Sequence, residues 1–275
     1  MRALHSDAVH SGLTFLNEAG VDPGLDHLLA HDLVHRMQSQ LTPSDVDSID
    51  FVSLCGGFPV DAGAFKYKFS WSPLGVLRAL RNSSRHIEGG KTIESERSTD
   101  AIFPVTIADE PFEAYPNRDS LAYVAPYQLD TPWRLDRFVR GTLRPPGWHK
   151  AWQHIFEEVS NASDEQLEAL SASLWRSNQY QPGEADRVVL SVQLKARRGQ
   201  QVVFDETRSI DLKGTAQDSA MSRLVSLPAA LAAAWIGAER ASAGVCGLPD
   251  DPTEMADWLQ QLRGLGIHVT RSIKQ

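Results

Sequence analysis

Only two cysteines, Cys55 and Cys246, occur among 275 residues. So small a number gives no reason to expect a disulfide framework or a cysteine-based zinc site. Positive charge is in deficit as well: 27 Lys and Arg stand against 35 Asp and Glu, a formal net charge of -8. With no basic stripe to offset that excess, non-specific nucleic-acid binding is not expected. No apolar run approaches the ~20 residues that cross a bilayer, and no signal-peptide hydrophobic stretch opens the chain. A reducing, cytoplasmic compartment is therefore the default expectation. The fingerprint G-x-G-x-x-G is missing too, so these residues lack the glycine turn with which a dinucleotide-binding unit opens.

What is present is ordinary in bulk and mixed in order. Apolar residues make up 42% and charged residues 23%, enough to build one large domain or two ordinary ones. Residues 2–10 are helix-compatible and 13–17 read as a short strand. Asp22-Pro23 predicts a helix start, with an acceptor at the cap and proline in the first turn. Leu25, Leu28, Leu29 and Leu33 then follow at helical spacing. Residues 48–54 predict a second strand leading into a Cys55-Gly56-Gly57 turn. Ser72-Pro73 predicts another helix, with Val76, Leu77 and Leu80 on its apolar side. The pattern is helical over 148–176, where Ser163 and Gln166 form a capping box between two helices. Residues 187–211 predict a hairpin across a Gly-containing turn. The C-terminal part predicts a helix over about 219–241, with a start or kink at Pro228, and a last helix from Asp251-Pro252. The order predicts an α/β or α+β fold with a mixed sheet.

The densest chemistry lies in CGGFPVDAGAFKYKFSWSP, residues 55–73, which combines a thiol, a glycine pair, five aromatics and two lysines. Phe69 and Trp71 alternate, with Ser70 and Ser72 beside them, which predicts a pocket wall with a polar rim; Lys66 and Lys68 are expected to be solvated. Cys55 stands at the expected strand end, with no nearby histidine to activate it as a nucleophile. His27, His31 and His35 recur every four residues, and without an H-E-x-x-H motif a solvated helix face is expected rather than a metal ladder.

The stretches FLNEAGVDPGLDHLLA, CGG-x-P followed by YKFSWSP-x-GVL, AYPNRDS, RGTLR, and SLPAA with GVCGLP run in that order from about residue 13 to 268. Together they resemble the NADP-dependent, L-glutamate-forming saccharopine dehydrogenases. The resemblance implies an oxidoreductase of lysine metabolism that reduces, with NADPH, the imine of L-glutamate and 2-aminoadipate 6-semialdehyde, or runs the reverse reaction on saccharopine. It implies a substrate-binding domain at 26–224, with the helical subregion near 148–176. Residues 1–25 and 225–275 would be the terminal pieces of a Rossmann-like domain, most of which lies outside these residues. NADP(H) would then be held mainly by that further segment, as part of the chain or as a separate partner, and a homodimer is a further expectation. A substrate-binding or dimerisation remnant without turnover, or a related imine reductase such as carboxynorspermidine dehydrogenase, are the alternatives.

Residue by residue, the resemblance implies that Asp22, Cys55, Phe69, Trp71, Arg118, Thr142, Leu143 and Arg144 meet the substrate. Asp22, Pro23, Gly24, Ser72 and Pro73 would meet the cofactor. Saccharopine carries three carboxylates, and planar bidentate donors suit them, so Arg118 and Arg144, with Thr142 and the Leu143 backbone, are the expected clamp. Asp22 and Cys55 are the candidates for proton transfer, with no general acid or base assigned.

Overall fold

In the computed structural model, which describes residues 1–215 and 217–274, two sheets are built from eleven strands. Gln275, the last position of the expected 225–275 stretch, lies outside the described residues. The chain begins with α1 (His5–His10), β1 (Thr14–Leu16), α2 (Leu25–Gln38), β2 (Ser48–Pro59), α3 (Pro73–Leu80), β3 (Ser84–Glu88) and β4 (Lys91–Ser95). There follow β5 (Phe103–Ile107), β6 (Glu110–Pro116), β7 (Leu135–Arg144), α4 (Trp148–Asn161), α5 (Asp164–Asn178), β8 (Asp186–Arg198) and β9 (Gln201–Lys213). The chain closes with α6 (Ala220–Gly237), β10 (Gly244–Cys246), α7 (Pro252–Gly264) and β11 (Thr270–Ile273). The fold is mixed α/β, as the element order predicts.

The main sheet runs β11-β9-β8-β2-β7-β3-β4, with β6 also joined to β7 and β5 to β6. At its centre β2 pairs parallel with β7 and antiparallel with β8. A strand paired on both sides and covered on both faces tolerates a near-continuous apolar run, which SIDFVSLCGGF supplies. The expected Cys55-Gly56-Gly57 turn does not exist: the strand continues through it, Cys55 opposite Thr142 and Leu190, Gly56 opposite Val189, Gly57 opposite Val188. Pairing from residues about 85 and 135 positions away overrides the local turn preference of two glycines. Gly56 answers a steric demand, because a Cβ there would stand 2.4 Å from the Leu143 carbonyl oxygen.

Alternation sorts the side chains of β2 and β7 onto two faces. Phe51, Cys55 and Phe138 join Leu25, Leu28, Leu29 and Leu33 of α2 in one core cluster. Leu54, Phe58 and Leu143 pack with Phe112, Ala114 and Val189 in another. A third core joins α3, α4 and α5 around Tyr67, Phe69, Trp148 and Trp152, so the helical excursion has its own packed interior. Trp152 satisfies its indole N–H on the Phe65 carbonyl at 2.9 Å. Ser163 and Gln166 cap each other's turn at the start of α5, and the Ser72 hydroxyl accepts the Gly75 N–H at the start of α3, both as predicted.

The start of α2 differs from expectation. Asp22 is no cap: the Asp22-Pro23 bond is cis, Gly24 precedes the helix at φ 147°, and the Gly24 N–H is received by Asp26 at 2.6 Å. The tight turn leaves room only for glycine, since a Cβ on Gly24 would meet the Gly20 carbonyl oxygen at 2.2 Å.

Near the C-terminus, α6 is capped from outside by Asp186 of β8, whose carboxylate accepts the N–H groups of Ala220 (2.6 Å) and Met221 (2.8 Å). This helix contains Pro228, and by length and composition alone it could cross a bilayer, contrary to the expectation that no such run exists. Its Leu224, Pro228 and Ala232 are buried. The small sheet joins β1 to β10 in parallel, bringing residues 14–16 beside 244–246. The last strand, β11, returns to the main sheet on β9, where Arg271 and Arg36 both grip the buried Glu206.

Candidate active site

Residues i, i+2 and i+4 of a strand share a face, so Arg140, Thr142 and Arg144 line one side of β7. Four residues at the strand rise set the two arginines about 13 Å apart. Register places Ser53 beside Arg140, and Cys55 and Tyr115 beside Thr142, all on that same face. The floor between the arginines is therefore a thiol, a threonine hydroxyl and a phenol.

The two ends of the row differ in charge. Arg140, 9% exposed, directs a single Nη2 to both Asp22 Oδ1 (2.9 Å) and Asp26 Oδ2 (2.5 Å). The Tyr123 ring lies 3.8 Å from its guanidinium carbon. His27 adjoins this group: Nδ1 is 2.5 Å from the Tyr127 hydroxyl, Nε2 is 3.2 Å from Glu18 Oε2, and the ring stacks on Tyr123 at 5.1 Å. Burial first, then the neighbouring Asp26, push Asp22 up to about 7, against the opposing pull of Arg140 and His27. Burial, followed by the charges of Asp22 and Asp26, pushes the Cys55 thiol well above its ordinary value. Cys55 is thus a neutral thiol in the wall, without the thiolate character a nucleophile needs.

At the other end Arg144, 6% exposed, has no carboxylate partner among the described residues. It donates to the Tyr115 hydroxyl and to the Leu143 carbonyl, both at 2.9 Å, and its Nε is buried without a hydrogen bond. Three rings surround the guanidinium: Tyr67 at 4.9 Å, Trp148 at 5.2 Å and Tyr115 at 5.5 Å. An uncompensated buried cation held by aromatic faces is costly to maintain, and a ligand anion would offset that cost.

The remaining expected residues scatter. Arg118 is exposed at φ 54°, its side chain without a partner among the described residues, while the Asn117 N–H donates to the Arg140 carbonyl. Leu143 presents only backbone to this face, its side chain being in the opposite core. Phe69 is a core residue at 1% exposure, against Tyr67 and Trp152, so its alternation with Trp71 reflects packing rather than a pocket wall. Trp71 is 48% exposed and lies over Gly75. Lys66 and Lys68 are half-buried rather than solvated, and Lys68 pairs with Glu184. Nor do the three histidines form a solvated face: His27 is buried, His31 half-buried against Tyr127, and only His35 is exposed. Among the described residues no cluster of His, Cys, Asp or Glu is arranged to hold a metal ion.

The sequence reading missed Arg140, Asp26, His27, Tyr123, Tyr127 and Tyr115. Arg140 had a signal, since the period of two in R-G-T-L-R puts both arginines on one strand face. Asp26 sits four residues after Asp22, a weaker cue. A polar depression of about 480 Å³ also exists, but Asp50, Arg137 and Arg197 line it at the far ends of β2 and β7. Two of its arginines are paired, Arg197 with Asp50 and Arg137 with Glu88, while the third, Arg134, is exposed at the rim.

Residues 20–267 match the family model of the saccharopine dehydrogenase C-terminal domain. The Saccharomyces cerevisiae saccharopine dehydrogenase [NADP(+), L-glutamate-forming] is 39% identical over 157 residues, covering 54% of this chain and 33% of that one. The Mus musculus mitochondrial alpha-aminoadipic semialdehyde synthase is 35% identical over 158 residues, covering 55% of this chain and 16% of its own. The match thus spans a third or less of these relatives' length. The solved apo saccharopine dehydrogenase (L-Glu forming) from Saccharomyces cerevisiae shares the fold, with a TM-score of 0.80 at 24% identity, over 100% of this chain and 77% of that one.

Proposed function

The chain belongs to the saccharopine dehydrogenase C-terminal domain family, and from that premise we propose that the β2–β7 face is the substrate cleft of an NADP-dependent, L-glutamate-forming saccharopine dehydrogenase. The observation that carries this reading is Arg144, a buried guanidinium with aromatic neighbours and no acid of its own. A ligand carboxylate completes it, through the planar fork that lysine lacks. Arg118, exposed and unpartnered near the other end, takes a second carboxylate. Between them Asp22 faces the amine, while Thr142 and the neutral Cys55 line the floor. Such a site works by holding two charged amino acids in line, which is proximity and orientation rather than covalent catalysis.

NADP(H) supplies the hydride when bound. Of its contacts, these residues offer the turn Asp22-Pro23-Gly24 and the Ser72-Pro73 end of α3, and no glycine-rich turn for a pyrophosphate occurs in them. Substrate binding and orientation are the part these residues fit. Relatives named for saccharopine and for alpha-aminoadipic semialdehyde support that assignment. L-Glutamate and 2-aminoadipate 6-semialdehyde are then the partners in the reductive direction.

Calorimetric titration with saccharopine tests the reading. Binding is expected, and Arg144→Met should weaken it at least tenfold, since hydrogen bonds to a charged group contribute about 1.5–3 kcal/mol. Equal affinity in both proteins would overturn the assignment. Saccharopine-dependent reduction of NADP+ distinguishes an enzyme from a module that only binds.

A further inference from the structure

Resting on that substrate assignment, we infer that Arg140 is a positioning residue: it aims the Asp22 carboxyl at the amine of the ligand and takes no ligand carboxylate itself. Arg140 and Arg144 share a strand face and a depth of burial, yet their surroundings differ. Arg140 already faces two carboxylates through one Nη2, and Tyr123 covers its guanidinium. With Asp22 and Asp26 both on that Nη2, a ligand carboxylate there would meet two acids rather than a free cation. Arg144 meets only neutral oxygens and rings.

The two acids on Arg140 also differ. Asp26 is fully buried on α2 and tied to the Gly24 N–H, so it is a fixed anchor. Asp22 sits in the irregular segment between β1 and α2, and Arg140 is the cation that holds its carboxyl. On the strand side, Arg140 is fixed by its own N–H, which donates to the Ser120 hydroxyl at 2.9 Å. The guanidinium therefore transmits the position of two rigid elements, α2 and β7, to a carboxyl on a loop. The other titratable groups around Asp22 are His27 on α2, Cys55 on β2, and Tyr123 and Tyr127. None of them is a second cation on the strand side. Of the two acids on Arg140, Asp22 is thus the one that is partly exposed and able to meet an ammonium.

The test compares two ligands in calorimetry: saccharopine, and glutarate, a dicarboxylate without an amine. Arg140→Lys keeps a buried positive charge, so it avoids leaving Asp26 uncompensated, but its shorter side chain stops one atom short of the Nη2 that meets both acids. The expected result is saccharopine binding weakened about tenfold with glutarate binding unchanged, whereas Arg144→Met weakens both. Loss of glutarate binding in Arg140→Lys would make Arg140 a carboxylate receptor, and unchanged saccharopine binding would remove it from the site; either overturns the inference. A second readout needs no ligand. Carbon-13 NMR titration of the Asp22 carboxyl, assigned with Asp22→Asn, should show its midpoint moving upward in Arg140→Lys; an unmoved midpoint overturns the positioning role. If the unmodified protein binds neither ligand, the substrate assignment fails, and the NMR titration alone decides the inference.

Discussion

Replacing Gly56 with alanine places one methyl group against the Leu143 backbone of β7. The added Cβ would stand 2.4 Å from the Leu143 carbonyl oxygen, 2.7 Å from its Cβ and 2.9 Å from its carbonyl carbon. All three belong to the backbone or its first side-chain atom, so no rotamer change relieves the contact. Reaching an ordinary separation requires β7 to move by about 1 Å, within the range of overpacking that costs about 1–3 kcal/mol. For a chain of this size that corresponds to a Tm lowered by roughly 2–10 °C. The functional consequence exceeds the stability loss, because Leu143 lies between Thr142 and Arg144. A misplacement of about 1 Å at a positioning group costs on the order of a hundredfold. Thermal unfolding by circular dichroism, with saccharopine titration at a temperature where the variant is folded, measures both effects. A Gly56→Ala protein with unchanged Tm and unchanged saccharopine affinity would refute the close approach and the role given to the Thr142–Arg144 strand end.

Arg118→Ala should raise the KM for saccharopine about tenfold in the complete enzyme, with Arg118→Lys recovering part of the loss; an unchanged KM removes Arg118 from the site. Asp186→Ala should lower stability by about 1–3 kcal/mol, because two N–H groups at the start of α6 lose their acceptor, and a denaturant midpoint equal to the parent's would contradict that cap. Asp22, raised from 3.8 to about 7, holds a proton that the unfolded chain releases at lower pH. Its contribution is therefore fully present below about pH 4 and is lost as pH rises to about 7, up to about 4 kcal/mol. Asp22→Asn should flatten the fall in Tm across that window, and parallel Tm profiles would contradict the shift. Glu206 acts in the opposite direction: desolvation would raise it, yet hydrogen bonds from Arg271 and Arg36 hold it at about 2 instead of 4.5. Its contribution is present above about pH 4.5 and lost toward pH 2, so Glu206→Gln should lower the Tm at pH 7 more than at pH 2.5.

The elements legible in the sequence were those specified by neighbours along the chain. Ser72-Pro73, Ser163 with Gln166, and Asp251-Pro252 each carry a complete cap within four residues, and all three begin helices where predicted. The 186–213 hairpin is likewise local. Elements decided by distant partners were misread. Cys55-Gly56-Gly57 has turn composition but becomes strand because β7 and β8 pair with it on both sides. Asp22-Pro23 has the composition of a helix start, yet the backbone folds back through Gly20 and Gly24 and frees the Asp22 carboxyl for an arginine 118 positions away. The acids on Arg140 come from residues 22 and 26, so only the fold distinguishes it from Arg144, which meets none among the described residues. Phe69 shows the same limit, because alternation fits a pocket wall and a packed strand end equally, and burial against Trp152 decides between them.

A crystal structure of the protein with saccharopine decides whether the β2–β7 face is the substrate site. The ligand is expected across the β2–β7 face, with one carboxylate within about 3 Å of the Arg144 guanidinium and the amine turned toward Asp22. Saccharopine bound instead in the depression beside Asp50, Arg137 and Arg197, with Arg144 still bare of any carboxylate, would contradict it.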